Sequence, residues 1–148
     1  WRGKYHSDGA GMYDGQFKWG LRHGRGTETY NAAANPHTFC GQFESGVRNG
    51  EGTTKWAGGD KYEGQYQDNR QHGQGKYTFA DGNSYQGQYV NGAKHGEGVF
   101  EWAKCGQYQG QWENGAKHGQ GSFTRADGKR WTCAWKEGVA APAKDMFK

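Results

Sequence analysis

One short phrase recurs along this chain: an aromatic residue, any residue, glycine, usually glutamine, then a second aromatic. It begins at Tyr13, Phe39, Tyr62, Tyr85, Tyr108 and Trp131, with one interval of 26 residues followed by four of 23. The phrases read YDGQF at 13–17, FCGQF at 39–43, YEGQY at 62–66, YQGQY at 85–89 and YQGQW at 108–112, with WTCAW at 131–135 as a weakened last copy. A fixed period of this length predicts a repeat array, in which each unit buries its apolar face only by stacking on its neighbours.

Composition narrows what the core of such an array can be. Leu, Ile, Val and Phe together number 12 in 148 residues, with no Ile and a single Leu, Leu21, beside 28 glycines. So few aliphatics would by themselves point to a disordered or low-complexity chain. The aromatics overrule that reading. Seven Trp, nine Tyr and seven Phe recur in register, and each ring can bury roughly 150 to 250 Å² while pairing offset or edge-to-face with the next. The expected core is a column of rings.

Two strands fit inside each period. In 85–107, alternation places Tyr85, Gly87 and Tyr89 on one face and Gln86 and Gln88 on the other, as a half-buried strand requires. The same pattern puts Tyr62, Gly64 and Tyr66, and then Tyr108, Gly110 and Trp112, on the core face. Asn91-Gly92 and Asn114-Gly115 predict a turn, after which a second strand is expected to begin near HGxG. That strand carries Gly75, Tyr77 and Phe79 on one face, then Gly98, Phe100 and Trp102, and closes in a tight turn at Asp81-Gly82 or Asp127-Gly128. The central glycines, Gly64, Gly87 and Gly110, are expected to leave room for a ring from an adjacent strand, which offsets the entropy that glycine costs in a strand. With strands about 4.8 Å apart, each repeat advances roughly 10 Å and the array roughly 50 to 60 Å. The fold class expected is all-β: an elongated, single-layer antiparallel sheet of stacked hairpins.

These residues resemble the MORN repeat, whose pattern is an aromatic-acidic-Gly-polar-aromatic strand followed by NGxxHGxG. The likeness is carried by YEGQY with DNRQHGQG at 68–75 and by YQGQW with ENGAKHGQG at 113–121, and it covers nearly the whole chain. It divides the chain into a partial unit at 1–12, repeats at 13–38, 39–61, 62–84, 85–107 and 108–130, and a degenerate C-terminal cap and tail at 131–148. Departures lie near the ends: Asn49 stands where His is usual, NAAANPHT at 31–38 is inserted, and the last unit has Cys133 for glycine and lacks HGxG. GKY at 3–5 followed by Asp8-Gly9 matches GKY at 75–77 followed by Asp81-Gly82, so the chain is expected to begin inside a motif, as a piece of a longer array.

Chemical candidates are few. His23, His72, His95 and His118 occupy one repeat position, which spaces them about 10 Å apart. Ligands of one zinc lie at about 2.0 to 2.3 Å from it, so these histidines do not share an intramolecular site, and no metal or cofactor is expected. A site between two chains, using a His with Cys105 or Cys133, is the alternative. The three cysteines, Cys40, Cys105 and Cys133, sit at different places in their repeats, form no framework, and are read as reduced thiols of a cytosolic protein. No P-loop, Ser/His/Asp order, GxGxxG between strand and helix, or carboxylate pair in a plausible cleft is found in the sequence.

Formal charge is +4 with a pI near 8.9, too mild to mark a nucleic-acid binder, and the period of the aromatics assigns them to the core and not to base stacking. Arg22, Arg48, Lys94 and Lys117 share one repeat position, interrupted by Gln71, and are read as a solvated ridge along one sheet edge, with anionic lipid as the alternative.

The expected function is a non-catalytic scaffold that binds proteins and itself. Resemblance to protist MORN scaffolds implies cytoskeletal proteins as partners, a cytoplasmic, cytoskeleton-associated location reaching the membrane periphery, and antiparallel tail-to-tail homodimers. The alternative that the family implies is a phosphoinositide-binding membrane tether. A terminal strand leaves N–H and C=O groups unpaired, so Trp131, Cys133 and Trp135, with Met146 and Phe147 in the tail, are the candidate dimer or cap residues.

Overall fold

The computed structural model describes residues 1–7, 11–31 and 33–140. Thirteen strands follow one another: β1 (Arg2–Ser7), β2 (Gly11–Lys18), β3 (Leu21–Tyr30), β4 (His37–Glu44), β5 (Val47–Trp56), β6 (Lys61–Gln67), β7 (Arg70–Thr78), β8 (Ser84–Val90), β9 (Ala93–Trp102), β10 (Gly106–Glu113), β11 (Ala116–Arg125), β12 (Arg130–Lys136) and β13 (Val139–Ala140). They form a single open antiparallel sheet in strict chain order, so every strand pairs with its sequence neighbours. No helix occurs among the described residues. The all-β, single-layer sheet of consecutive hairpins is the architecture that the repeat period predicts.

Two kinds of connection alternate. At one edge lie two-residue turns, Trp19-Gly20, Ser45-Gly46, Asp68-Asn69, Asn91-Gly92, Asn114-Gly115 and Glu137-Gly138, with φ between 48° and 86° at both positions. Positive φ at both central residues is the mark of the type I′ turn, whose twist matches that of the flanking strands. At the other edge the Asp-Gly connections are longer than the tight turn expected for them. Phe79 N–H donates to Asn83 O at 2.8 Å and Gly82 N–H to Phe79 O at 3.0 Å, with Gly82 at φ 93°. Asp81 acts as a local acceptor, its Oδ1 taking the Asn83 N–H at 2.9 Å, and Asp127 does the same for Lys129 at 3.0 Å.

The second strand of each hairpin starts directly after its I′ turn, at Arg70, Ala93 or Ala116, two residues before HGxG and so near it as expected. The His-Gly pair lies inside the strand as a bulge. Between Gly87 and Tyr89 the register with β9 jumps from Gly98 to Lys94, and the same shift recurs in all five complete hairpins. The alternation expected from the sequence did not include this bulge, which keeps the chain paired on both sides of an irregularity.

The I′ turns also bond to the repeat before them. Gly46, Asn69, Gly92, Gly115 and Gly138 donate their N–H groups to the carbonyls of Arg22, Arg48, Gln71, Lys94 and Lys117 at 2.8 to 3.1 Å. Successive hairpins are thus joined by the strand ladder and again along the turn edge.

Candidate interaction face

Two rows of rings run along one face of the sheet. In the first, Phe17, Tyr13, Phe43, Phe39, Tyr66, Tyr62, Tyr89, Tyr85, Trp112, Tyr108 and Trp135 follow one another edge to face, at centroid distances of 5.0 to 5.9 Å and interplanar angles of 78° to 89°. Tyr62, Tyr85, Tyr108 and Phe39 are fully buried, and Tyr66, Tyr89 and Trp112 nearly so. Each edge-to-face pair contributes about 0.5 to 1.5 kcal/mol beyond the area it buries, so the row supplies the cohesion that an aliphatic core would supply elsewhere.

Glycine makes this row possible, although the covering ring is not the one expected. A Cβ on Gly64 would meet Gln74 O and Gly75 Cα at 2.5 Å and the Tyr62 hydroxyl at 2.9 Å, and one on Gly75 would run into the Tyr62 ring. The ring therefore comes from the same strand, two residues upstream, and lies flat over the cross-strand pair Gly64 and Gly75. Tyr85 covers Gly87 and Gly98, and Tyr108 covers Gly110 and Gly121, in the same way.

The glutamines, placed on the outer face by simple alternation, turn out to close the bulge. Gln16, Gln42, Gln65, Gln88 and Gln111 accept through Oε1 the N–H groups of Arg25, Glu51, Gln74, Glu97 and Gln120 at 2.7 to 3.4 Å. The glutamine's own carbonyl takes the tyrosine hydroxyl, Tyr13 to Gln16, Tyr62 to Gln65, Tyr85 to Gln88 and Tyr108 to Gln111, at 2.8 to 3.4 Å. Both backbone groups released by the bulge are satisfied, which is why tyrosine and glutamine recur together.

The second row lies beside the first and is only half-buried. Trp56, Tyr77, Phe79, Phe100, Trp102, Phe123 and Trp131 follow one another at 4.7 to 5.9 Å, and Tyr30 stacks on His37 at 5.3 Å upstream of them. Tyr77 is anchored by its hydroxyl on Asp60 Oδ2 at 2.7 Å. Phe100 and Trp102 belong to this row and not to the fully buried one.

The four shared cations lie against the rings, which corrects the expected solvated ridge. Arg22 Nη1 and Arg48 Nη2 clasp the Glu28 carboxylate at 2.8 and 2.9 Å, and the Glu28 side chain is 14% exposed. The Arg48 guanidinium sits 4.6 Å above Phe39 and donates to His37 Nε2 at 3.1 Å. Lys94 Nζ lies 5.5 to 5.9 Å from four ring centroids and Lys117 Nζ 4.5 to 5.3 Å from three. Burial lowers the pKa of both lysines. The cross-strand pairs Phe17–Arg22, Phe43–Arg48, Tyr89–Lys94 and Trp112–Lys117 explain the placement, because directly opposed residues share a face.

The C-terminal end departs from the pattern. Cys133 stands opposite Gly121 where other repeats pair two glycines. Trp131, the counterpart of Tyr108, turns its edge to Phe123 in the second row, and Trp135 closes the first. Trp112 donates its indole N–H to Gly98 O at 3.2 Å, whereas the buried Trp135 Nε1 has no acceptor among the described residues. β13 pairs with β12 only at Trp135 and Lys136. Met146 and Phe147 lie outside the described residues.

Among the described residues no three His, Cys, Asp or Glu side chains converge as metal ligands. His72 Nδ1 accepts the Asn91 N–H at 3.4 Å and His118 Nε2 lies 3.1 Å from Glu113, so these histidines serve neighbouring turns.

The family model of the MORN repeat matches residues 13–31, 39–61, 62–84, 85–104 and 108–130, well over half of the chain. No curated protein matches it closely enough to count as a relative. MORN repeats are non-catalytic modules that engage proteins or lipids. With five matched copies superposed on five bulged hairpins, the chain belongs to the MORN repeat family.

Proposed function

We propose that this protein is a non-catalytic, cytoskeleton-associated scaffold of the cytoplasm that binds partner proteins along its ring face and a second copy of itself at its C-terminal end. One observation carries the reading: the buried ring row runs without a break into Trp135, on a strand whose outer edge is paired among the described residues only at Trp135 and Lys136. An open strand edge favours pairing with another chain, and an antiparallel arrangement about a twofold axis closes that edge in both copies. In this reading Trp131, Cys133 and Trp135 form that contact.

The lipid alternative finds less support. Of the four cations that would face anionic headgroups, Arg22 and Arg48 are engaged by Glu28, and Lys94 and Lys117 are drawn among rings. Light scattering after gel filtration tests the dimer. A mass of two chains at tens of micromolar, reduced to one chain by Trp135→Ala, is expected; a single-chain mass for the parent protein rejects it. Co-sedimentation with phosphatidylserine vesicles, released by salt, would favour the membrane reading instead.

A further inference from the structure

The repeat allows equivalent positions to be compared within one molecule, and the two halves of the ring face treat their cations differently. Glu28 stands between Tyr13 and Phe39 on the neighbouring strands. In the later repeats the same place is held by Phe100, between Tyr85 and Tyr108, and by Phe123, between Tyr108 and Trp131. Arg22 and Arg48 therefore share a carboxylate supplied by the chain itself. Lys94 and Lys117 occupy the equivalent cation positions, yet among the described residues neither forms an ion pair. Each ammonium is half-buried among aromatic faces, with Lys94 5.5 Å from Trp112 and Lys117 4.5 Å from Trp135. A ring face attracts a cation but satisfies none of its three N–H donors as a carboxylate would.

We propose that the face around Lys94 and Lys117 binds an acidic amphipathic helix of a partner protein, whose carboxylates complete the two ion pairs that Glu28 completes for the arginines. The inference rests on the interaction reading above and adds the chemistry of the partner. The two lysines stand two strands apart, about 10 Å. An extended segment covers that distance in about three residues, which points the two side chains to opposite sides. A helix covers it in about seven, two turns, which leaves both carboxylates on one face with apolar residues between them. Those apolar residues meet Phe100 and Trp102, half-buried rings 5.7 Å from Lys94 Nζ and 5.2 Å from Lys117 Nζ respectively, which adjoin each other at 4.7 Å.

The test uses the full chain and two synthetic helical peptides with leucines on one face. One carries glutamate at two positions seven apart on that face, and the other carries glutamine there. Fluorescence anisotropy is expected to show the glutamate peptide binding at least tenfold more tightly. Lys94→Gln with Lys117→Gln should abolish this preference and leave the affinity for the glutamine peptide unchanged, while Lys94→Arg with Lys117→Arg should retain the preference; circular dichroism verifies that each variant is folded. Equal binding of both peptides overturns the carboxylate pairing and leaves the interaction reading standing. A preference that survives the glutamine substitutions also overturns it, as does binding of phosphatidylserine vesicles with no preference between peptides. A preference that appears only after removal of residues 141–148 would assign the site to the chain's own tail and likewise overturn the partner assignment. Binding of neither peptide counts against both readings.

Discussion

Oε1 of Gln65 rests against Gly73, so that a methyl group on Gly73 would overlap it, and from there it accepts the Gln74 N–H at 2.8 Å. Gly73 also holds φ at 78°, a conformation that costs an L-residue roughly 1 to 2 kcal/mol. Gly73→Ala combines that strain with displacement of the glutamine, and a loss of about 2 to 3 kcal/mol is expected. Gln65→Leu leaves only the Gln74 N–H without its acceptor and should cost about 1 kcal/mol. Urea titration followed by circular dichroism measures both.

Phe39 takes the ladder position that is tyrosine in the other four complete repeats, where the hydroxyl reaches a glutamine carbonyl. Phe39→Tyr is expected to add a bond to the Gln42 carbonyl and to stabilise the protein by about 1 kcal/mol; Tyr62→Phe should remove about as much. A rise in the urea midpoint for the first and a fall for the second is the outcome that checks the bulge geometry.

Trp19 is 88% exposed and holds φ at 56°, in a turn position that the other repeats fill with Ser45, Asp68, Asn91, Asn114 and Glu137. A bulky side chain gains nothing in the left-handed region that asparagine would not gain with less strain. Trp19→Asn should raise stability by about 0.5 to 1 kcal/mol, read from thermal melts.

Burial raises the pKa of Tyr13, Tyr62, Tyr66, Tyr77, Tyr85, Tyr89 and Tyr108, the last to about 12. Above pH 10 the unfolded chain sheds phenolic protons that the folded chain keeps, so stability falls as pH rises beyond the ordinary tyrosine value. Lys94 and Lys117 act with the opposite sign, since their lowered pKa values let the folded chain release protons first as pH approaches 10.5. Seven phenols outweigh two ammonium groups. The phenolate absorbance at 295 nm is expected to rise together with the loss of the strand signal in circular dichroism, and complete ionisation of a folded sheet would contradict the buried ring row.

The strands and their order were legible because the period of 23 residues carries everything a hairpin array needs: alternation, turn dipeptides and recurring glycines. What lay beyond reading was set by the bulge. Strict alternation puts Gln88 outside and has no place for the extra residues at His95 and Gly96, whereas in three dimensions the irregular pairing draws the Gln88 side chain over the edge to the Glu97 N–H. The cations were misplaced for a related reason. Arg22, Arg48, Lys94 and Lys117 stand close to turns, where charge is ordinarily solvated, and only the cross-strand register brings them opposite Phe17, Phe43, Tyr89 and Trp112. Glu28 gave no signal either, because its value depends on arginines from two different repeats.

The bonds from each I′ turn to the hairpin before it give the molecule a seam along one margin, separate from the ladder between strands. A pull applied at the two ends must open both fastenings together, one hairpin after another, as a zip is undone tooth by tooth. A cell could load such a strip along its length and lose it only in instalments.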